Sequence, residues 1–174
     1  MRPEQQGFDE SLGFLPGAAK YLSGGTVDAR LPADPLDRFL WLALTDAVQF
    51  NGGPRFHAGE YMTDYLSGQA VAAIAANRNR PFFMYLAYSA PHTPFQAVKS
   101  DYDELSAIAD HKTRVYGAMT ICLHASADRQ RSRRNGAPVL PYALHVANLF
   151  DGLMGFVQAP VSEATARGFF HKNS

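Results

Sequence analysis

The clearest hydrophobic pattern in the chain is the run FFMYLAY at 82–88, which is followed by SAPHTPF. An apolar run that does not alternate with polar residues and lies between prolines is typical of a strand buried on both faces. We therefore predict a strand over 81–88. Pro91 and Pro94 fix their own φ and disfavour helical geometry in the preceding residues, so His92 is expected on a stiff loop after the strand. Ligands of open α/β sheets usually bind at this end of a strand.

Helical spacing of apolar residues occurs on both sides of this strand. Before it, a stripe with members three or four positions apart predicts a helix over 63–77. That stripe consists of Met62, Leu66, Ala70, Ala73 and Ile74. After the strand, a second stripe predicts a helix over 110–123 and consists of Ile108, Val115, Tyr116 and Met119. A shorter helix is predicted over 35–48, with Asp34 as its N-cap and Pro35 in its first turn. Helices alternating with a buried strand are typical of the α/β class.

Composition argues against several classes of protein. A length of 174 residues suits one domain, and no run reaches the roughly eighteen apolar residues of a membrane span. The formal net charge of zero gives no reason to expect nucleic acid or an anionic membrane as a partner. Cys122 is the single cysteine, so neither an internal disulfide nor a cysteine-rich metal site is expected.

Two segments contain charged or metal-binding residue types at a spacing that is also found in metal sites or carboxylate pairs. His57 and Glu60 in PRFHAGEY could both bind a metal, but the surrounding turn residues favour a surface loop. Asp101, Asp103 and Glu104 in SDYDELS could form a carboxylate pair. We interpret them instead as the acidic first turn of a helix, which the helix dipole favours.

The remaining charged and aromatic features favour structural roles. Arg131, Arg133 and Arg134 could bind phosphate or nucleic acid, but the run has no interleaved aromatics and no RNA-binding motif. A solvated or disordered run is expected there. Tyr85 and Tyr88 are interpreted as core aromatics.

Three segments resemble successive blocks in the middle of the catalytic domain of the sulfatase family: QGFDESLGF, EYMTDYLSGQAVAAIAANRNRPFFMYLAYSAPHTPFQA and RVYGAMT. Their order and approximate spacing also match the family. The likeness extends over 3–119 and is weaker between 24 and 59. It implies an α/β fold similar to alkaline phosphatase, with helices around a mixed sheet that is incomplete here. The resemblance divides the chain into 1–123, a fragment of a sulfatase catalytic domain, and a divergent tail over 124–174.

The resemblance implies hydrolysis of sulfate esters, with a sulfated small molecule or glycan as partner. Sulfatases use a formylglycine made from Cys or Ser in a C-x-P-x-R type signature, a calcium ion held by Asp and Asn, and Lys and His around the sulfate. Metal and cations stabilise the charge, and an acid protonates the departing oxygen. His92, in APHTP, matches the sulfate-contacting His of the family, which implies a catalytic and substrate-binding role. The alternative is a loop histidine that only bonds a backbone carbonyl.

Several parts of the family's site are missing from the sequence. Cys122 lies in ICLHAS, which is not a C-x-P-x-R signature, and we expect a buried thiol without catalytic function. The Asp pair that the family places near the N-terminus and a later DNG segment are absent, so calcium is implied by the family while no metal ligand is assigned here. His124 stands where the family has an acidic residue. We expect this chain alone to lack both the nucleophile and the metal site.

The tail over 124–174 departs from the family altogether. It contains an Arg-rich segment and an apolar stretch interrupted by Pro and Gly, which is what reading a GC-rich gene in the wrong frame tends to produce. We expect a tail that is either frameshifted or poorly ordered, on a chain truncated at its front. Localisation stays open, because relatives are often exported while MRPEQQGFDE lacks the apolar region of a secretion signal.

Three functions follow from these observations. The first is a sulfuric ester hydrolase, as the resemblance implies. The second is a non-catalytic remnant that binds a sulfated ligand through His92. The third is a phosphate ester hydrolase of the same superfold, since a fold alone does not determine the chemistry.

Overall fold

The computed structural model of the protein describes residues 2–15, 17–31, 33–134, 144–147 and 154–160. Its helices are α1 (Pro35–Ala43), α2 (Met62–Ala76), α3 (Lys99–Glu104) and α4 (His111–Arg134), and a 3-10 turn covers Pro3–Gln6. Its strands are β1 (Glu10–Phe14), β2 (Thr26–Asp28), β3 (Ala47–Phe50), β4 (Phe56–His57), β5 (Phe82–Ala87), β6 (Gln96–Val98), β7 (Leu144–Ala147) and β8 (Met154–Pro160).

The strand predicted from the apolar run is β5, and it lies inside a mixed sheet. The described strands form one sheet in the order β4-β3-β1-β8-β5-β7 and a separate pair, β2-β6. β5 is antiparallel to β8 and parallel to β7, with Leu86 opposite Phe156 on one side and Val146 on the other. Together with the described helices, this sheet confirms the predicted mixed α/β class.

β5 buries one face completely and the other face in part. Met84 and Leu86 are at most 2% exposed, whereas Phe83 and Tyr85, which alternate with them, are half-buried. The ring centroid of Phe8 lies 6.1 Å from that of Phe83 and covers part of this second face. The predicted strand is therefore confirmed, but complete burial holds only for the face that carries Met84.

α2 and α4 contribute to the same hydrophobic core as β5. Leu66 and Ala70 of α2 are fully buried there, as are Val115 and Met119 of α4. The apolar spacing that predicted these two helices is thus explained by their burial in a shared core. The helix predicted over 63–77 is confirmed, and both its start and its end lie one residue earlier than predicted.

α4 is longer than the sequence pattern predicts. Asp110 precedes it, and its Oδ2 accepts a hydrogen bond from the Thr113 N–H at 2.7 Å. The helix then continues to Arg134 instead of ending at 123, because residues 124–134 contain neither Pro nor Gly and include many good helix formers. The basic run, Arg131, Arg133 and Arg134, lies in this helical backbone and not in a disordered segment.

α1 is shorter than predicted. Its N-cap is Asp34, as expected, with Oδ1 accepting from the Leu36 N–H at 2.8 Å. The prediction of a helix to residue 48 was wrong, because the backbone becomes extended at Leu44 and Ala47–Phe50 form β3. β3 pairs with β1, so a strand partner distant in sequence overrides the local helical pattern.

Two described strands come from the tail over 124–174. β7 pairs with β5, and β8 lies between β5 and β1, with Phe156 opposite Leu12. The tail residues 135–143, 148–153 and 161–174 lie outside the described residues. The sheet neighbours of β5 are therefore supplied by the part of the chain that departs most from the sulfatase pattern. The frameshift hypothesis stays a prediction.

An apolar row runs along the exposed side of α1. Leu36, Phe39 and Leu42 follow one another at intervals of three residues and are 60%, 62% and 74% exposed. Within the same described part of the chain, every helix is too short or too polar to cross a membrane. Exposed apolar rows of this kind favour association, so we expect the isolated chain to be poorly soluble.

Candidate functional site

His92 lies on the loop that follows β5, residues 88–95, which we call the His92 loop. The His92 N–H donates to the Ser89 carbonyl at 2.8 Å and closes a turn. The peptide bonds before Pro91 and Pro94 are both cis. The side chain is half-buried, at the carboxyl end of a strand that has neighbours on both sides. This is the placement that the apolar run and the two prolines predict.

The imidazole of His92 has a defined proton on one nitrogen. Nδ1 lies 2.7 Å from the Thr93 carbonyl oxygen, and because a carbonyl can only accept, Nδ1 must carry the proton. The neutral and the charged ring therefore differ only in whether Nε2 carries a proton. A charged ring can donate from Nε2 to an anion or protonate a departing oxygen, the two tasks that the family resemblance implies. The alternative, a loop histidine that only bonds a backbone carbonyl, explains the contact made by Nδ1. That contact does not distinguish this alternative from a role of Nε2 in binding an anion or donating a proton.

A buried tyrosine holds the centre of the His92 loop. Tyr21 is 1% exposed, and its Oη donates to the His92 carbonyl at 3.0 Å. The same Oη lies 3.2 Å from Ser89 Oγ, so it also reaches the residue whose carbonyl closes the turn. The segment that carries Tyr21 is itself fixed to the start of α2, where the Met62 N–H donates to the Tyr21 carbonyl at 2.8 Å.

A buried glutamine anchors the end of the His92 loop. Gln96 is 1% exposed, and its Oε1 accepts from the Tyr21 N–H at 2.8 Å. Its Nε2 lies within hydrogen-bond distance of three acceptors, namely the Leu22 carbonyl, Thr26 Oγ1 and Asp28 Oδ1. The Gln96 carbonyl accepts from Tyr61 Oη at 2.7 Å. The loop is thus held at His92 and at Gln96 by the same segment.

His57 contacts a buried carboxylate that the sequence did not reveal. Its Nδ1 lies 2.7 Å from Asp46 Oδ1, which also accepts from Ser23 Oγ at 2.8 Å. The His57 side chain is 68% exposed, in agreement with the predicted surface position, whereas Asp46 is buried. The three residues join the hairpin of β3 and β4 to the segment that carries Tyr21.

The pKa of Asp46 is below its usual range. Burial alone raises it, but hydrogen bonds from Ser23 and His57, together with the charge of His57, lower it by more. A carboxyl whose pKa is lowered in the folded state stabilises the fold above its unfolded pKa of about 3.9. This contribution is lost as the pH falls through the folded pKa.

Asp46→Asn is expected to lower the free energy of unfolding by about 1–3 kcal/mol at pH 7, because a buried hydrogen-bonding anion is lost. The difference from the wild type should shrink as the pH falls below about 3.9, the unfolded pKa, and should disappear below the lowered pKa of the folded state, where the wild-type carboxyl is protonated as well. Urea unfolding at pH 7 and pH 3 measures both effects. Asp103→Asn is the matched control, since Asp103 accepts from Lys99 Nζ at 2.6 Å in an exposed pair of α3 worth about 1 kcal/mol or less. An equal loss at both pH values in Asp46→Asn would contradict the assignment.

The other candidate residues lie in positions that fit structural roles. Cys122 is 5% exposed on α4, with Sγ 3.9 Å from each carboxylate oxygen of Asp64, as expected for a buried thiol. Of the acidic cluster on α3, only Asp101 lies in the first turn of the helix.

Across the described residues, no group of three His, Cys, Asp or Glu side chains could hold a metal ion. The described residues therefore do not fit the calcium site that the family resemblance implies.

Comparison with known proteins places the chain beside sulfatases. No protein-family profile matches it. A curated relative described as an uncharacterized sulfatase, PB10D8.02c from Schizosaccharomyces pombe, is 29% identical over 97 residues, which are 56% of this chain and 17% of the relative. The chain is thus similar in sequence to a sulfatase over part of its length. This similarity confirms the resemblance stated from the three sequence blocks.

Two solved structures are similar in fold to this chain. The crystal structure of Ps i-CgsB in complex with k-i-k-neocarrahexaose is 24% identical, with a TM-score of 0.63. A second crystal structure, that of Ps i-CgsB, is 25% identical to this chain, with a TM-score of 0.58. Each match covers 90% of this chain and 40% of the solved chain. The chain therefore spans less than half the length of each of these proteins.

Sequence reasoning missed the residues that hold the His92 loop. Tyr21 lies in the Gly- and Pro-containing segment before β2, where no periodicity indicates burial. Gln96 and Asp46 are buried polar residues that form hydrogen bonds with this segment. A weak signal existed in the isolated aromatic of AAKYLSGG, because a lone tyrosine among small residues often has a buried ring and a paired hydroxyl.

Proposed function

We propose that the chain works as part of a sulfuric ester hydrolase, in which His92 contacts the sulfate group of the substrate. The observation that carries the proposal is the position of His92, on a held loop at the carboxyl end of β5, in the segment APHTP that resembles the sulfate-contacting segment of sulfatases. The bond from Nδ1 to the Thr93 carbonyl supports it, because that bond fixes the tautomer and directs protonation to Nε2.

A sulfated glycan is the substrate class that we propose. One of the solved structures similar to this chain is described in complex with k-i-k-neocarrahexaose, which is an oligosaccharide. The family resemblance supplies the sulfate ester. In the proposed role, the charged ring of His92 donates to a sulfate oxygen and can protonate the oxygen of the departing sugar. The nucleophile is not assigned to any residue of this chain.

The first test is binding of inorganic sulfate by the full chain, measured by calorimetry at pH 6. We expect saturable binding that weakens at least about tenfold in His92→Ala, because a hydrogen bond to a charged group contributes about 1.5–3 kcal/mol. His57→Ala is the matched control, since His57 is an exposed histidine on the β3–β4 hairpin and should leave sulfate affinity unchanged. Equal affinity in the wild type and His92→Ala would contradict the proposal.

The second test separates the alternatives. Aryl sulfate and aryl phosphate are each offered to the chain in the presence of calcium. We expect no turnover of either ester, since this chain alone is expected to lack the nucleophile and the metal site, while sulfate binding through His92 persists. Phosphate turnover that depends on His92 would favour the phosphate ester hydrolase. Sulfate turnover would show that the chain supplies a complete site.

A further inference from the structure

Tyr21 joins two points of the His92 loop, and the first residue after it, to one side of the fold. Its Oη reaches His92 and Ser89, and its N–H reaches Gln96. These partners lie 71, 68 and 75 positions away in the sequence. A single residue therefore contacts the loop at its first turn and at His92, and also contacts Gln96, the first residue after the loop.

The proton of the Tyr21 hydroxyl has a defined direction. Burial raises the pKa of Tyr21 well above its usual range, so the hydroxyl keeps its proton. The His92 carbonyl can only accept, and it therefore takes that proton. Ser89 Oγ is a second acceptor for the same hydroxyl, at the longer distance of 3.2 Å against 3.0 Å for the His92 carbonyl. The bond to His92 depends on the Tyr21 hydroxyl, whereas it does not depend on Ser89.

The ring of Tyr21 is fixed before it meets the loop. It stacks on the ring of Tyr61, with centroids 5.4 Å apart and an interplanar angle of 21°. Tyr61 Oη in turn donates to the Gln96 carbonyl at 2.7 Å. Because Tyr21 is 1% exposed, water cannot readily replace its hydroxyl.

We propose that Tyr21 is a positioning residue for the sulfate site: its hydroxyl holds the backbone of His92 so that the imidazole is presented in one orientation. The functional part of this inference rests on the proposed contact between His92 and sulfate, whereas the structural part does not. Tyr21 does not touch the substrate in this account. It acts through the carbonyl of the residue that does.

The test compares Tyr21→Phe, which removes only the hydroxyl, with two matched variants. Tyr61→Phe removes another buried tyrosine hydroxyl that bonds a backbone carbonyl, but that of Gln96, just after the loop, and not that of His92. Ser89→Ala removes the second partner of Tyr21 while leaving the bond to His92 in place. Each full-length variant is titrated with inorganic sulfate, and hydrogen exchange of the His92 amide is followed by NMR.

We expect Tyr21→Phe to weaken sulfate binding and to speed up exchange of the His92 amide, each by about 2- to 10-fold, as loss of one hydrogen bond predicts. Tyr61→Phe and Ser89→Ala should leave both quantities within about twofold of the wild type. Unchanged exchange and affinity in Tyr21→Phe would overturn the proposal, as would equal changes in Tyr61→Phe, which would indicate a merely structural role. If the wild type binds no sulfate, the proposed function fails, and the exchange rate alone decides whether Tyr21 positions His92.

Discussion

Leu86→Ala is expected to lower the free energy of unfolding by about 2–5 kcal/mol, which is a large part of the stability of a domain of this size. Leu86 is fully buried near the end of β5, between Phe156 of β8 and Val146 of β7. Its truncation removes buried apolar atoms and leaves a cavity that a strand with neighbours on both sides cannot easily collapse. Chemical unfolding followed by circular dichroism measures the loss.

The matched control for Leu86 is Leu36→Ala. The chemical change is identical, but Leu36 is 60% exposed on α1, and substitutions at such positions usually change stability by about 0.5 kcal/mol or less. A small effect of Leu86→Ala, similar to that of Leu36→Ala, would mean that β5 is not enclosed by the sheet. The strands contributed by the tail would then have to be reassigned.

Gln96→Leu is the second substitution with a large expected effect, about 1.5–4.5 kcal/mol of unfolding free energy. The change keeps the approximate volume but removes the acceptor of the buried Tyr21 N–H, and an unsatisfied buried donor costs about 1–3 kcal/mol. It also removes the donor that serves the Leu22 carbonyl, at about 0.5–1.5 kcal/mol. Unfolding in urea measures the sum.

Gln49→Leu is the matched control for Gln96. Gln49 is half-buried, and its Nε2 donates one hydrogen bond, to the Gly53 carbonyl at 2.8 Å, which water can replace. Its loss should cost about 1 kcal/mol or less. If Gln96→Leu were no more destabilising than Gln49→Leu, the network around Gln96 would not hold the end of the His92 loop.

The elements that the sequence predicted well are those whose pattern is local. α2 has a stripe of apolar residues that is buried as one face, and β5 has a run of apolar residues enclosed by neighbours. Pro91 and Pro94 likewise restrict the chain where they occur, so the placement of His92 after β5 could be predicted. In each case the residues that determine the structure are adjacent or within one or two turns.

The elements that the sequence did not predict depend on distant partners. α1 ends at Ala43 because the following residues pair with β1 and form β3, which no pattern near residue 44 indicates. The neighbours of β5 come from β7 and β8, more than fifty positions away. The contacts of Tyr21 with the His92 loop span a similar distance, so neither could be derived from periodicity.

The role of His92 depends on chemistry that a fold alone does not determine. Similarity to a sulfatase supports the expected anion contact, but the same loop geometry could hold a histidine that only bonds the Thr93 carbonyl. The two possibilities differ in what happens at Nε2 when an anion is present.

NMR of the histidine side chains during titration with inorganic sulfate tests this difference most directly. The account predicts that the Nε2 and Cε1 resonances of His92 shift saturably with sulfate, while those of His57 and His111 stay in place. The account would be contradicted if the His92 resonances did not move on addition of sulfate, whether or not those of another histidine did.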